Sequence, residues 1–461
     1  MIITNFIAAI ELGSFKIRGI AGTKNSDGSI NVLAYADADS TDFIRKGIVY
    51  NLDKTTQALS NIINALEGKL NESIAKVYVG VSGQSLRSVH NSIAKDVLQE
   101  DKIIDQKMLD LLSDENLEIP LIDLDILEVA PQEYKIGNNL QIDPKGVATN
   151  HIEGRFLNIV ANKELKKRIE YCFDDAQIMI ADLFVSPLTT ANVILSEKEK
   201  RAGCALIDFG ANTTTLSIYR DNLLRFLTVI PLGGENVTKD LMTLQIEEEE
   251  AEKIKLSIGN AWIEKNGQEN TEEEEKAKYT LEDGRKIDLD DILLAIEARM
   301  EEIVANVWHL IQLSGYDDKL LAGIILTGGA SKMKNLRKLI QEKTTIAQVR
   351  IADNTFKIHA PSKDFTEDAS KNTSIGLLYA GQENCRQIPV MKEPVDLFEH
   401  DEDLKRQEEE AKKIAIEKEK KKQEEEARRA KEKKKEKANK EKKSNWFSSL
   451  TDTFFSDDDI Q

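Results

Sequence analysis

The 461-residue sequence contains only three cysteines, Cys172, Cys204 and Cys385, and only five histidines. The cysteines are far apart and form no CxxC pair, so the sequence predicts neither a zinc site nor a disulfide framework and fits a reducing compartment. The shortage of histidine argues against a histidine-based metal site or catalytic triad. The formal net charge of −18 argues against a nucleic-acid partner, because proteins that bind nucleic acids present a basic surface.

Long hydrophobic runs are also missing. No stretch of about 18 apolar residues occurs, which argues against a membrane-spanning helix. The apolar N-terminal stretch, MIITNFIAAIELGSF, is short, lacks a basic start and is interrupted by Glu11 and Gly13. We therefore interpret it as a buried first strand and not as a signal peptide. Any membrane contact is expected to be peripheral.

Up to about residue 390, short apolar runs alternate with stretches of helical periodicity. This alternation predicts the α/β class. The clearest predicted strands are residues 7–10, 77–81, 205–207 and 323–326, and the clearest predicted helices are 59–66 and 292–313.

The composition changes after Gly381, the last glycine of the chain. Residues 404–443 are dense in Lys, Glu and Arg, which predicts a charged linker, either a solvated helix or an extended coil. Such runs are usually solvated spacers with no binding role of their own. A shorter acidic stretch, 266–278, is interpreted as an exposed loop.

Two segments share one construction, residues 7–18 (IAAIELGSFKIR) and 205–219 (ALIDFGANTTTLSIY). Each has an apolar strand, an acid, an apolar residue, a glycine, a small polar residue and a second strand. This pattern predicts two hairpins whose tips can face each other across a cleft between two lobes. The predicted tips comprise Glu11, Gly13, Ser14, Phe15 and Lys16 in the first hairpin, and Asp208, Gly210, Ala211, Asn212, Thr213 and Thr214 in the second.

These tips carry the residue types that a nucleotide needs. Phosphates favour backbone N–H donors on glycine and small hydroxyl residues at a turn. Mg²⁺ favours oxygen ligands, usually one or two carboxylates acting directly or through water. A third element, residues 323–333 (GIILTGGASKM), runs from a strand through Gly328 and Gly329 into a helix. Alone it is more often a plain turn, but the three elements in this order are more specific.

The three elements resemble the actin/Hsp70/sugar-kinase superfamily and, within it, the FtsA family of the bacterial division machinery. The resemblance covers about residues 5–385 and the extreme C-terminus. The stretches that resemble FtsA are VYVGVSG (77–83), EVAPQEYKI (128–136), DPKG (143–146), IPLGGENVT (230–238), AEKIK (251–255) and SIGLLYAG (374–381).

The resemblance implies an actin-like, two-lobed ATPase fold with a small subdomain of the FtsA type, a charged C-terminal linker and a terminal amphipathic helix. It divides the chain into lobe 1 (1–84, 168–202 and 366–390), the inserted subdomain (85–167), the base of lobe 2 (203–240 and 321–365), the outer, partner-binding part of lobe 2 (241–320), the linker (391–443) and the membrane-targeting helix (444–461).

The resemblance also implies ATP and Mg²⁺ as ligands. Glu252 and Lys255, three apart on a helix, would face ribose and adenine, although this spacing is ordinarily a plain helix salt bridge. Glu11 and Asp208 would hold Mg²⁺ through water. The implied ATP-binding residues are Gly13, Ser14, Phe15, Lys16, Gly210, Ala211, Asn212, Thr213, Gly233, Gly234, Glu252, Lys255, Gly328, Gly329 and Ala330.

Several positions depart from the superfamily pattern. Glu11 stands where Asp is usual, Thr215 replaces an expected acid, and the second tip has Ala211 and Asn212 instead of an all-glycine run, which would raise the cost of positive-φ conformations. Ser186 stands before Pro187, where relatives with good ATPase activity have a polar or acidic side chain that orients the attacking water. We therefore expect ATP binding with slow or negligible hydrolysis and leave open whether the protein is an enzyme.

The C-terminal segment SNWFSSLTDTFF (444–455) predicts a short amphipathic helix that follows a basic run ending at Lys443. At about 100° per residue its aromatic and leucine side chains share one face, a pattern typical of an interfacial membrane anchor. The alternative is a helix that docks on its own body or on a partner protein. The acidic residues 457–459 would oppose binding to anionic lipid, and one such helix binds weakly, so a polymer would supply avidity. The predicted membrane-facing residues are Trp446, Phe447, Leu450 and Phe454, with Phe455 at the edge of the face.

The role implied by the resemblance is a cell-division protein that polymerises on the cytoplasmic face of the inner membrane, at the septum, and anchors the ring of the tubulin-like protein FtsZ. The implied partners are the FtsZ C-terminal tail, other copies of the chain, anionic membrane lipid and other division proteins. Arg299 and Met300 are assigned to the partner-binding surface of lobe 2. The alternatives are a small-molecule kinase or phosphatase of the same fold, or a chaperone, for which residues 390–461 could not form the needed β-sandwich and lid.

Overall fold

The computed structural model describes residues 5–97, 102–130, 133–264, 277–352, 358–360, 365 and 368–387. The chain divides into two units, Met1–Ile388 and Pro389–Gln461, and every described residue lies in the first. None of the described helices combines the length with the apolar character that a membrane-spanning segment needs. The predicted linker 391–443, the predicted amphipathic helix 444–461 and most of the acidic stretch 266–278 lie outside the described residues.

The described elements alternate between strands and helices in chain order. The strands are β1 (Ile7–Leu12), β2 (Lys16–Lys24), β3 (Ile30–Asp39), β4 (Ile44–Arg45), β5 (Ile48–Val49), β6 (Lys76–Val81), β7 (Arg87–Asp96), β8 (Leu124–Ala130), β9 (Tyr134–Ile136), β10 (Asn139–Gln141), β11 (His151–Asn162), β12 (Met179–Val185), β13 (Cys204–Phe209), β14 (Thr214–Arg220), β15 (Leu223–Ile230), β16 (Lys278–Thr280), β17 (Lys286–Asp288), β18 (Gly323–Thr327), β19 (Val349–Ile351) and β20 (Ile358–His359). The helices are α1 (Leu52–Leu70), α2 (Gln106–Leu117), α3 (Lys163–Asp175), α4 (Ser186–Ile194), α5 (Glu197–Ala202), α6 (Gly234–Met242), α7 (Glu248–Ile258), α8 (Leu289–Ser314), α9 (Leu336–Lys343) and α10 (Asn372–Ala380), with short 3-10 helices at Gly329–Lys332 and Ala369–Lys371.

The first lobe is built on a six-stranded sheet in the order β12-β6-β1-β2-β3-β20. Strands β1 and β2 form an antiparallel hairpin, whereas β6 runs parallel to both β1 and β12. A parallel pair needs a crossover connection, and α3 supplies it between β6 and β12. Helix α1 is capped at its start by Asn51, whose side chain accepts a hydrogen bond from the Lys54 N–H, and at its end by Asn71, which has φ 53°. Its buried face, spaced for one side of a helix, packs in the core of this lobe.

The second lobe is built on strands in the order β15-β14-β13-β18-β19. Strands β13 and β14 form the second antiparallel hairpin, and β18 runs parallel to β13. One face of this sheet shares a core with α8, whose Ile292, Ile296 and Ile303 are fully buried. The helix begins after Asp288 and ends at Gly315, which has a left-handed φ of 70°.

The segment between β6 and α3, hereafter the insert, forms one end of a ten-stranded sheet and has a small core of its own. Strand β11 pairs with β7, β8 and β9, and α2 packs against them. Asn116 and Asn158 are buried there and satisfy one another, since each side-chain amide N–H donates to the other's oxygen at 2.7 and 2.9 Å. A buried amide left without a partner would cost roughly 1–3 kcal/mol, so this pair fixes α2 on the sheet.

The last described residues return to the start of the chain. The Cys385 N–H donates to the Phe6 carbonyl at 2.8 Å, and the Gln387 N–H donates to the Ser73 carbonyl at the same distance. Arg386 forms a two-bond ion pair with Glu72, with both bonds at 2.8 Å. The first lobe is therefore closed by residues from both ends of the described body.

The α/β class and two-hairpin construction predicted from the sequence are confirmed. The predicted strands 7–10, 77–81, 205–207 and 323–326 lie within β1, β6, β13 and β18, and the predicted helices 59–66 and 292–313 lie within α1 and α8. The predicted residue boundaries of the subdomains remain predictions.

Candidate functional site

The tip of the first hairpin is a tight four-residue turn between Leu12 and Ile17, which face each other in the β1–β2 ladder. The Gly13 N–H donates to the Lys16 carbonyl at 3.2 Å. A Cβ at Gly13 would lie 2.6 Å from that carbonyl oxygen, so only glycine fits. The Ser40 hydroxyl donates to the Gly13 carbonyl at 2.7 Å and holds the turn from outside.

The tip of the second hairpin repeats this geometry. Phe209 faces Thr214 across the β13–β14 ladder, and the Gly210 N–H donates to the Thr213 carbonyl at 2.9 Å. A Cβ at Gly210 would lie 2.8 Å from that oxygen. The internal repeat in the sequence therefore produces the same turn, with the same glycine requirement, twice.

The start of α6 packs directly on the second tip. The Gly234 N–H donates to the Gly210 carbonyl at 2.9 Å, and the Glu235 N–H donates to the Ala211 carbonyl at 2.8 Å. A Cβ at Gly233 would lie 2.5 Å from the Ala211 carbonyl oxygen. The glycine pair thus lets a helix N-terminus, with its partial positive charge, approach the turn.

A two-residue turn between β4 and β5 joins the two tips. The Gly47 N–H donates to the Ser14 hydroxyl oxygen at 2.9 Å, and the Lys46 N–H donates to the Asn212 side-chain oxygen at 3.2 Å. Lys46 and Gly47 both have positive φ, 51° and 75°, as a tight hairpin turn requires. The two predicted tips therefore lie on opposite sides of one short turn.

Glu11 and Asp208, the predicted carboxylates, lie near each other at the base of the two tips. Burial and then the nearby Glu11 charge raise the pKa of Asp208 to about 6, while Arg18 opposes the shift. Arg18 pairs with Glu11 at 3.1 Å, and both side chains are largely buried. Ser374 at the start of α10 also donates to Glu11. Uncompensated negative charge is thus concentrated at Asp208.

This arrangement fits Mg²⁺ with a nucleotide. Two carboxylates and the hydroxyls of Ser14 and Thr213 supply oxygens of the kind that Mg²⁺ uses together with water and phosphate. Backbone N–H groups at the tips suit the phosphate oxygens. Within the described ranges, no group of three or more His, Cys, Asp and Glu residues surrounds a common point.

The end of β18, the third predicted element of the site, lies beside the second tip. Gly328 has φ 86°, and a Cβ there would lie 2.2 Å from the Asp208 carboxylate and 2.5 Å from the Phe209 carbonyl oxygen. Gly329 begins the short 3-10 helix, and the Ala330 side chain lies 3.2 Å from the position that a Cβ of Gly234 would occupy. The third element therefore meets the second tip and the start of α6.

Helix α7 adds a charged cluster beside the start of α6. The Lys255 ammonium pairs with Glu252 at 2.6 Å and donates to the Thr238 hydroxyl at 2.9 Å and the Gly234 carbonyl at 3.2 Å. Thr238 in turn donates to Glu252 at 2.6 Å. The pair is the helix salt bridge that its spacing predicts, but it also reaches α6 beside the second tip.

The structure shows where three further predicted residues lie, and one of them, Met300, contradicts the expectation. The Lys16 ammonium pairs with Asp37 at 2.8 Å, so its charge is already partnered. Met300 is fully buried in the core of the second lobe; its assignment to a partner-binding surface is corrected, because its side chain has no exposed surface to offer. Arg299 is partly exposed and pairs with Asp240 on α6 through two bonds, one of 2.9 Å.

The departures from the superfamily pattern have visible consequences. Ala211 and Asn212 do not have positive φ, so the expected backbone cost of replacing glycine is not incurred. Thr215 and Ser186 are buried, 6% and 4% exposed. A Cβ at Gly80 would lie 2.6 Å from the Ser186 hydroxyl, which places that hydroxyl against β6.

Sequence reasoning missed Arg18 and the Lys46–Gly47 turn. For Arg18 the only local signal was a basic residue in a buried strand, and for the turn it was a glycine between two short apolar pairs. Neither signal shows which residues these groups contact. A cavity of about 360 Å³ lies elsewhere, between the β2–β3 turn and helices α4 and α10, and none of the predicted nucleotide residues lines it.

Among solved structures, the PilM-PilN type IV pilus biogenesis complex superposes with a TM-score of 0.56 at 14% sequence identity, covering 81% of this chain and 97% of that one. This likeness concerns the fold alone. Together with the paired hairpin tips, it defines an actin-like α/β protein.

A family model described as "Cell division protein FtsA" matches residues 205–377. The Cell division protein FtsA of Porphyromonas gingivalis (strain ATCC BAA-308 / W83) is 30% identical over 426 residues, covering 87% of each chain. That of Bacillus subtilis (strain 168) is 26% identical over 388 residues, covering 82% of this chain and 84% of the relative. The chain belongs to the FtsA family of cell division proteins.

Proposed function

We propose that this protein binds ATP and Mg²⁺ between its two lobes and hydrolyses ATP slowly or not at all. The observation that carries the proposal is the repeated glycine turn at the two hairpin tips, both held by the Lys46–Gly47 turn beside a carboxylate pair. Backbone N–H groups at the tips would bind phosphate oxygens, and the partial positive charge at the start of α6 would favour their negative charge. Glu11 and Asp208 would hold the ion through water. Slow hydrolysis is expected because Ser186 is a poor general base and lies buried.

The same proposal extends to the cell. We infer that nucleotide-bound subunits associate into short filaments on the cytoplasmic membrane face at the septum, and that they link the FtsZ ring to the membrane through residues 444–461. Membership of a cell-division family and the aromatic, one-sided pattern of that segment support this role. Arg299, which is partly exposed on α8, remains the proposed contact for the FtsZ tail in the outer part of the second lobe.

ATP binding is tested by titrating the full chain with a fluorescent ATP analogue, with and without excess EDTA. Lys255→Ala is expected to weaken binding roughly ten-fold, because it removes a charge-assisted hydrogen-bonding group from the cleft wall. Lys253→Ala is the matched control. It lies on the same helix, but its partner is the exposed Glu282, and it should bind the analogue like the unchanged protein.

If the unchanged protein fails to bind the analogue, or if both lysine variants bind equally well, the proposed site is wrong. Turnover above a few per second would instead favour a kinase or phosphatase. Capture of the chain by an immobilised FtsZ C-terminal peptide tests the division role separately, and loss of capture in Arg299→Glu would support the assigned contact.

A further inference from the structure

The polypeptide chain connects the insert to the first lobe, whereas strand pairing attaches it to the second. In sequence it interrupts the crossover between β6 and β12, two neighbouring strands of the first lobe. Its strand β7, however, pairs with β15 of the second lobe, so that a continuous sheet runs from β10 in the insert to β19.

Besides the hydrophobic core that Leu157 and Ile159 of the insert share with Leu227 of the second lobe, the contact between insert and second lobe, hereafter the seam, has a few well-defined bonds. The β-ladder contributes a single residue pair, Arg87 opposite Thr228. Next to it, the Ser88 hydroxyl accepts from the Leu227 N–H at 2.9 Å and donates to the Leu227 carbonyl at 3.2 Å. A side chain thus supplies bonds that a longer ladder would make between backbones.

An ion pair completes the seam. Arg225 on β15 donates to both carboxylate oxygens of Glu133 in the insert, at 2.9 and 3.2 Å. The two side chains are only 11% and 22% exposed, so the pair is more strongly bound than one at the surface. Because the pairing favours the ionised carboxylate, despite partial burial, it lowers the pKa of Glu133.

We propose that the seam makes the insert a coupler between the two lobes. If the lobes separate at the cleft, the insert must either follow the second lobe or break the seam, because its two chain connections hold it to the first. Retention of the seam therefore opposes opening of the cleft and slows the release of what is bound there. The coupling to nucleotide rests on the proposed ATP site, whereas the coupling between lobes does not.

The test locks the seam with a disulfide in the full chain. Facing residues of an antiparallel pair have Cα atoms about 4.5–5.5 Å apart, within reach of a disulfide, so Arg87→Cys with Thr228→Cys should bridge it. The native cysteines are all buried. The matched control is Asp96→Cys with His151→Cys, another facing pair of antiparallel strands that lies wholly within the insert.

The measurement is the dissociation rate of a fluorescent ATP analogue from oxidised and reduced forms of each variant. The oxidised seam variant is expected to release the analogue at least about three-fold more slowly than its reduced form, while oxidation of the control changes nothing. Equal rates in the oxidised and reduced seam variant would overturn the proposal.

A measurement that needs no nucleotide distinguishes failure of this inference from failure of the proposed function. If the unchanged protein does not bind the analogue, Asn212→Ala is used instead to remove the side-chain bond to Lys46 across the cleft. Hydrogen exchange at the Leu227 amide, which bonds to Ser88, is expected to become roughly ten-fold faster in this variant. An unchanged exchange rate at the Leu227 amide in Asn212→Ala would overturn the coupling. The Arg225→Ala variant serves as the reference, because it gives the exchange rate expected when the seam itself is broken.

Discussion

At the scale of single residues, Gly328 meets two demands at once. Its φ of 86° is left-handed, and a Cβ would overlap the Asp208 carboxylate and the Phe209 carbonyl. Gly284, in the turn between β16 and β17, also has φ 86°, but nothing lies within 4 Å of its Cβ position. Comparing substitutions at Gly284 and Gly328 therefore separates the stability cost of backbone strain from the cost of steric crowding.

We expect Gly284→Ala to cost about 1–2 kcal/mol, the price of a left-handed conformation with a side chain. Gly328→Ala should cost at least about 2 kcal/mol more, because the overlapping atoms include backbone that cannot move freely. Urea unfolding of both variants measures the difference. Equal midpoints for the two alanine variants would contradict the crowding described at the cleft.

Asp208 is expected to lower the stability of the nucleotide-free protein and to be needed for ligand binding. Its raised pKa means that the folded state disfavours the charged carboxylate, so the destabilisation is absent below the ordinary value of 3.8, grows as pH rises toward about 6 and is complete above that. Asp208→Asn should therefore raise the melting temperature of the nucleotide-free protein at pH 7.5 and abolish Mg²⁺-dependent ATP binding.

The stabilising effect of Asp208→Asn should shrink as the pH is lowered from 7.5 toward 5. Differential scanning fluorimetry across this range, on the variant and the unchanged protein together, provides the check. A gain in stability that does not vary with pH would point to packing and not to the buried charge.

At the scale of elements, α4 and α10 approach each other unusually closely. A Cβ at Gly376 of α10 would lie 2.6 Å from the Thr189 carbonyl oxygen and 2.9 Å from the Thr190 nitrogen, both on α4. Since both neighbours are backbone atoms, Gly376→Ala must push the helices apart and is expected to destabilise the first lobe by about 1–3 kcal/mol.

Gly68 on α1 is the matched control for that substitution. It also lies within a helix, but nothing surrounds its Cβ position within 4 Å. Gly68→Ala should stabilise the protein by about 0.5–1 kcal/mol through helix propensity and a less flexible unfolded chain. Thermal melting of both variants should give shifts of opposite sign; shifts of the same sign would refute the close approach.

The elements also show what the sequence can and cannot predict. The two hairpins were recognisable because each keeps its strand, acid and glycine within about 15 consecutive residues. The β7–β15 pairing was not, because Arg87 and Thr228 lie far apart in sequence and neither strand carries a local mark of its partner. Arg18 was missed for the same reason: only the fold shows that it pairs with Glu11.

At the scale of the whole molecule, membrane attachment is predicted to depend on the C-terminal segment. The chain without residues 444–461 should stay in the supernatant with anionic vesicles and ATP, whereas the full chain should pellet with them. Trp446→Glu should greatly reduce pelleting, because it places a charge in the apolar face. Deletion of residues 457–461 alone is the control and should leave pelleting unchanged or stronger, since it removes acidic side chains. Pelleting that survives loss of residues 444–461 would contradict the anchor.

The return of residues 385–387 to Phe6 and Ser73 has a consequence for biosynthesis. The chain leaves the ribosome from its N-terminus, yet β1 acquires its last neighbours only after some 370 further residues have been made, about 20–75 s at ordinary rates. During that interval the apolar first hairpin lacks part of its cover. Nascent chains stalled before residue 372 should therefore be protease-sensitive in the first lobe and depend on chaperones, even though its early strands have long emerged.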